Sequence, residues 1–233
     1  MRGLSDKIKP ENVVEVIDHR KINEAHKFPN SKAQIEFVGS AATLIAEKFH
    51  QQKTKISKES AALLFSAIIS NTINFQASIT TNRDRKIAGW LKTKISIPKN
   101  YIREMFIHKS QFTKPLKETF MDDFATFSFN GHELGIAQLE ITNVDGFINA
   151  NLEKIKDVLI ELKRQKSLEF IFLNCIDLEK AFNKIVIIDR QTQKLLSKSL
   201  KVEFNRGVAK KHRILMRKEI APLIKEFLDG EFF

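Results

Sequence analysis

The dipeptide Asn130-Gly131 lies between two segments of alternating apolar and polar residues, Phe124–Phe129 and residues 133–141. Asn and Gly both tolerate positive φ, as a two-residue type I′ turn requires, so this spacing predicts an antiparallel hairpin. That hairpin separates the second half of the chain from the first, where short apolar runs alternate with helix-period stretches in the α/β manner. Val13-Val14-Glu15-Val16-Ile17 is short and β-branched and reads as a buried strand. Residues 33–37 read as a second strand. Helical periodicity follows over residues 41–49, and again from a cap at Ser57 to Asn71-Thr72. A third helix starts at Thr80 or Thr81, shows Ile87, Trp90 and Leu91 as its apolar stripe, and is closed by Pro98. Residues 101–119 lose the pattern and read as helical linker. Beyond the hairpin come a helix over 152–166, strands over 168–176 and 184–188, and a last helix over 219–228. The expected architecture is α/β, with a truncated parallel-sheet domain over residues 1–110 and a smaller mixed-sheet α/β domain over 111–233.

Charge and composition narrow the function. Lys and Arg number 39 against 28 Asp and Glu, a net charge of +11, which favours anionic partners. The single cysteine, Cys175, excludes a disulfide within the chain and fits a reducing compartment. No run of apolar residues is long enough to span a bilayer, and Met1 to Val16 contains no secretory core, so the expected setting is cytoplasmic with no membrane contact. Phe supplies 19 of the aromatic residues and reads as core, not as a base-stacking platform, which counts against nucleic acid. The densest basic cluster is Arg206, Lys210, Lys211, His212, Arg213, Arg217 and Lys218, and charge alone would let it hold a phosphate backbone. His26, His50, His108 and His132 have no partner at metal-ligand spacing.

The chemistry-bearing group is Asp18-His19-Arg20, at the carboxyl end of the first strand, where open α/β sheets bind ligands. Imidazole and carboxylate together suit a divalent metal or a phosphate site. Followed by Val38-Gly39-Ser40-Ala41-Ala42-Thr43-Leu44 and by Ala61-Ala62-Leu63-Leu64-Phe65-Ser66-Ala67-Ile68-Ile69-Ser70, this group resembles the DHH phosphoesterases. The resemblance is to their manganese-dependent inorganic pyrophosphatase branch, with its exopolyphosphatase and prune-type relatives. Phe127-Ser128-Phe129-Asn130-Gly131-His132-Glu133-Leu134 resembles the opening hairpin of the family's second DHH-associated domain. Met216-Arg217-Lys218 before Pro222 resembles its phosphate-gripping element. The resemblance covers residues 13–228.

That resemblance implies a role for each matching residue. His19 stands at a metal-ligand position, and Asp18 and Arg20 at catalytic ones; Arg20 replaces the second histidine of pyrophosphatases, as in the prune-type relatives. Gly39 and Ser40 would present backbone amides to phosphate at a helix N-terminus. Arg217 and Lys218 would clamp phosphate oxygens from the second domain, with the substrate between the domains. The implied ligands are Mn²⁺ or Mg²⁺ and a pyrophosphate or polyphosphate-like anion.

The departures from the family pattern are chemical. The family's first two acidic motifs have no counterpart among the 17 residues before Asp18, Asn71 stands where a ligand aspartate belongs, and Ala125 fills a lysine slot. His19 and Asn71 are neutral donors and hold hard cations poorly. The expectation is therefore a pyrophosphatase relative of weak or no activity on its own, completed by an amino-terminal part or turned into a non-catalytic phosphate- or protein-binding module. An exposed sheet edge near the start would invite a homodimer.

Overall fold

A computed structural model describes residues 8–19 and 25–230, in two units, Met1–Lys99 and Asn100–Phe233. In the first unit, β1 (Glu15–Asp18) pairs in parallel with β2 (Lys32–Ile35), placing Asp18 opposite Ile35. β1 begins two residues later than the apolar run because Val13 closes a short 3₁₀ turn, its amide donating to the Pro10 carbonyl at 3.2 Å. Asp18 is thus the last residue of the strand. Three helices follow: α1 (Ala41–Gln51), α2 (Lys58–Thr72) and α3 (Asn82–Lys92). Each starts on a hydroxyl cap, Ser40, Ser57 or Thr81, that satisfies an orphan amide of the first turn. Leu44, Ala46, Ala61, Phe65, Ile68, Ile69, Ile87 and Leu91 form the buried helix faces. Pro98 is not what ends α3; the helix stops at Thr93, whose amide turns back to the Trp90 carbonyl, well before the proline.

α2 ends unusually. Ile73, Asn74 and Phe75 all have positive φ, 49°, 49° and 65°, in a region where each non-glycine residue costs about 1–2 kcal/mol. Compensating contacts hold the bend: the Asn74 amide reaches the Ile69 carbonyl at 2.8 Å, the Ala77 amide the Thr72 carbonyl at 2.9 Å, and Arg85 Nη2 the Phe75 carbonyl at 2.9 Å. Ile73 is fully buried, so burial of its side chain, about 2–3 kcal/mol, outweighs its own strain.

The second unit is built on a six-stranded mixed sheet. Its elements are α4 (Tyr101–Lys109), α5 (Leu116–Asp122), β3 (Phe124–Phe129), β4 (His132–Ile141), α6 (Val144–Gln165), β5 (Phe170–Asp177), β6 (Asn183–Ile187), α7 (Arg190–Ser199), β7 (Phe204–Asn205), β8 (Val208–Lys211) and α8 (Arg217–Asp229). The strand order is β3-β4-β5-β6-β8-β7; only β4 and β5 run parallel, joined by α6 as the crossover. Asn130 and Gly131 take φ of 48° and 82°, the primed turn expected of them. α6 packs with Val144, Ile148, Ile155, Leu159 and Leu162 against Ala137, Leu139, Ile171, Leu173 and Cys175 on one face of the sheet. α7 and α8 cover the other face through Leu195, Leu196, Ile220 and Ile224 on Ile136, Phe172, Ile185 and Ala209. All eight residues of β5 are buried, as a strand covered on both faces requires.

The units divide after Lys99 instead of near residue 110. The expected linker folds as α4 and α5 and attaches to β4: Lys109 pairs with Glu140, and the Thr142 amide donates to Ser110 Oγ at 2.8 Å. α7 and the β7–β8 hairpin have no counterpart in the sequence expectation, and α6 starts at Val144, earlier than residue 152.

Candidate functional site

Asp18, His19, Gly39, Ser40 and Asn71 converge at the carboxyl end of β1 and the start of α1. Asp18 is buried, and its Oδ1 accepts the His19 amide at 2.7 Å, fixing the turn out of the strand. His19 Nδ1 lies 2.9 Å from the Val38 carbonyl. A carbonyl only accepts, so in the neutral ring the proton sits on Nδ1 and the lone pair on Nε2. Ser40 is fully buried at the cap of α1; its Oγ accepts the Ala42 amide at 3.2 Å and Asn71 Nδ2 at 3.0 Å. The carboxamide of Asn71 is thus donating into the helix start. Arg20 lies outside the described residues.

One carboxylate organises this region, and the sequence reading did not single it out. Asp84 is fully buried and accepts from the Gly39 amide at 2.9 Å, Thr43 Oγ1 at 2.6 Å, and the Thr81 amide and hydroxyl, both at 2.7 Å. Burial opposes its ionisation, but the hydroxyls of Thr43 and Thr81 and the amides of Thr81 and Gly39 together hold its pKa below the ordinary carboxyl value. The Thr81-x-x-Asp84 spacing was the available signal, since it is a capping box.

Asp84 also corrects the role expected of Gly39. Its amide is donated to a carboxylate and does not face a phosphate. What the position requires is space: a Cβ there would lie 2.6 Å from Thr72 Cγ2 and 2.9 Å from Asp84 Oδ2. Gly39→Ala should therefore cost about 1–3 kcal/mol through overpacking. Adding Thr72→Ser, which removes Cγ2 and keeps the hydroxyl bonds to Ile68 and Phe75, should recover part of that loss in urea melts.

Other acids of this unit are held in structural pairs. Arg83 bridges Glu47, through Nε at 2.9 Å and Nη2 at 2.5 Å, and Glu36, through Nη1 at 2.7 Å. Hydrogen bonds from Gln34 and then Arg83 lower the Glu36 pKa, and the two carboxylates raise that of Arg83. Glu15 pairs with Lys48. Among the described residues no group of three or more His, Cys, Asp or Glu is placed to share a metal ion. His19 and Asn71, neutral and with the amide already donating, do not fit a hard divalent cation.

Arg217 and Lys218 belong to the second unit, at the start of α8. The Arg217 guanidinium donates to the Asp123 carbonyl at 2.6 Å and meets the Asp123 carboxylate at 2.5 Å, so its charge is partly engaged. A buried amide network fixes this helix start. The Arg217 amide donates to Gln138 Oε1 at 2.7 Å; Asn174 Nδ2 and Asn183 Nδ2 reach the Leu215 carbonyl at 3.0 and 2.6 Å; the Leu215 amide returns to Asn183 Oδ1 at 3.0 Å. Asn183 Nδ2 also donates to Asn174 Oδ1 at 2.6 Å. Gln138, Asn174 and Asn183 were missed by sequence reasoning. The only hint was Asn174, a polar residue in the middle of the apolar run of β5.

No protein-family model matches the chain. Individual relatives do. The chain is 26% identical over 231 residues to a cobalt-dependent inorganic pyrophosphatase of Clostridium perfringens, covering 98% of this chain and 41% of that enzyme. It is 28% identical over 228 residues to a manganese-dependent inorganic pyrophosphatase of Methanothrix thermoacetophila, covering 95% of this chain and 73% of that one. A crystal structure of a Methanococcus jannaschii protein assigned to the family II inorganic pyrophosphatases superposes with a TM-score of 0.79 at 26% identity, over 94% of this chain and 74% of that one. No helix among the described residues is long and apolar enough to cross a membrane. Over nearly its whole length this chain is therefore similar in sequence to inorganic pyrophosphatases, and its α/β architecture is similar to that of the solved protein assigned to their family II.

Proposed function

We propose that these 233 residues form a pyrophosphatase-type scaffold that binds a linked-phosphate anion, pyrophosphate or short polyphosphate, and hydrolyses it slowly when acting alone. Arg217 and Lys218, at the start of α8, supply the cationic grip on phosphate oxygens. Asp18 sets the turn that carries His19, and Arg20 takes the place of a second histidine. The observation that carries the reading is Asn71: a neutral carboxamide donates to Ser40 Oγ where the resemblance places an anionic ligand. Fast phosphoryl transfer in two-metal sites relies on carboxylates that hold the cations and so neutralise the leaving phosphate. His19 and Asn71 supply none of that negative charge.

The test is phosphate release from pyrophosphate and tripolyphosphate with and without Mn²⁺, beside pyrophosphate binding by calorimetry. Binding should be measurable, and turnover at least about a thousandfold below the ~1–10³ s⁻¹ of ordinary enzymes. Asn71→Asp should raise Mn²⁺ affinity. Wild-type turnover within the ordinary range would overturn the reading, and so would an Arg217→Ala, Lys218→Ala chain that bound pyrophosphate as well as the wild type.

A further inference from the structure

The positive charge of this chain is unevenly spread. Residues 190–213 carry eight Lys or Arg and one acid, Glu203, and so hold seven of the eleven net positive charges. α7 buries Thr192, Leu195 and Leu196 and exposes Arg190, Lys194 and Lys198, which recur one turn apart, about 6 Å along the axis. Lys201 continues the exposed row past the helix end, and Arg206 stands at the tip of the β7–β8 turn. Among the described residues Arg190, Lys198, Lys201 and Arg206 form no ion pair.

This row borders a groove. Between α7 and the segment entering β7 lies an open trough of about 560 Å³, lined by Gln193, Ser197, Lys201, Val202, Glu203 and Phe204. Val202 and Phe204 pack on the hydrophobic cluster under α7 and α8, so the floor is apolar and the helix wall polar. β7 is the outermost strand and pairs only with β8, Phe204 opposite Ala209 and Asn205 opposite Val208. Its other edge has no strand partner among the described residues.

We propose that this groove docks an extended acidic peptide segment of a partner protein, which adds to the free edge of β7. The partner's alternate apolar side chains lie on Val202 and Phe204, and its carboxylates meet Lys198, Lys201 and Arg206. Strand addition of this kind draws affinity from backbone pairing and specificity from alternate side chains. A two-residue edge offers little pairing by itself, so the basic rim supplies attraction and orientation. A polyphosphate chain has no apolar groups for the floor. A single-stranded nucleic acid needs open ring faces, whereas Phe204 is packed against the core.

The test uses the whole chain and a fluorescein-labelled octapeptide of alternating Val and Glu, read by fluorescence anisotropy. Three competitors accompany it: the same peptide N-methylated at alternate residues, octaglutamate, and an eight-nucleotide oligothymidine. The alternating peptide should bind best, and its affinity should fall about tenfold in Lys198→Glu, Lys201→Glu and also as salt is raised. Arg190→Glu and Arg206→Glu, both at exposed positions, provide the same test should the double variant fail to fold. Equal binding of octaglutamate or the N-methylated peptide would overturn strand addition, because charge alone would then suffice. Tighter binding of oligothymidine would overturn the peptide in favour of nucleic acid. Absence of binding, or binding indifferent to every charge reversal, would overturn the site.

Discussion

Asp84→Ala should destabilise the first unit by about 3–5 kcal/mol, because it leaves buried donors unpaired and not merely a contact removed. Four bonds converge on the carboxylate, from Gly39, Thr43 and both groups of Thr81, and it is fully buried. Thr43→Val, which removes one donor and leaves the carboxylate three, should cost only about 1–2 kcal/mol. The fluorescence of the single tryptophan, Trp90 on α3, follows this unit directly in a urea titration. Equal costs for the two variants would show that Asp84 is not the hub.

The same carboxylate makes stability depend on acid. Its folded pKa lies below the ordinary 3.8, so the unfolded chain binds the proton more readily. The stabilisation is complete above pH 3.8 and is lost as the pH falls through the folded value. Asp84→Asn should therefore flatten the acid limb of the stability curve while lowering the whole of it. Asp189, lowered by Lys163 and the Thr192 amide against its burial, and Asp145, lowered by Lys184, add acid sensitivity of the same sign in the second unit.

Asn183→Ala should cost about 2–4 kcal/mol and loosen the start of α8. The variant takes one partner from the Leu215 carbonyl, the only side-chain acceptor from the Leu215 amide, and the donor that Asn174 Oδ1 receives. The Arg217 amide is held by Gln138, which also receives Asn174 at 3.4 Å, so the damage reaches Arg217, the residue proposed above to grip phosphate. Amide hydrogen exchange across β5 and β6 should accelerate, and pyrophosphate affinity should fall together with it. Asn174→Ala shares the same partners, so the double variant should cost less than the sum of the two by about 1 kcal/mol or more. Strict additivity would mean that the two amides act separately.

The hairpin was legible because Asn130-Gly131 dictates its own geometry, and the helix starts because Ser40, Ser57 and Thr81 each cap within their own turn. Those are local effects, settled over a few residues. α7 was missed because Leu195, Leu196 and Leu200 are too few to give a clear period, and only packing on Phe172 and Ile185 gives them a face to bury. β7 and β8 are too short to announce themselves without β6 as a template. Asp18, His19, Ser40 and Asn71 could be picked from the chain, but not what each one touches. The Gly39 amide looked available until Asp84, 45 positions away in sequence, arrived to accept it.

The sequence by itself determined the turn chemistry, the helix caps, the alternation of strands with helices and the order of family-like segments, since each depends on neighbours along the chain. Only the tertiary structure decided that Asp84 anchors the Gly39 turn, that Gln138, Asn174 and Asn183 hold the start of α8, and that Asn71 donates to Ser40. The physical reason is that a buried polar group must find its partner, and in a folded chain that partner comes from whichever segment packing brings within about 3 Å.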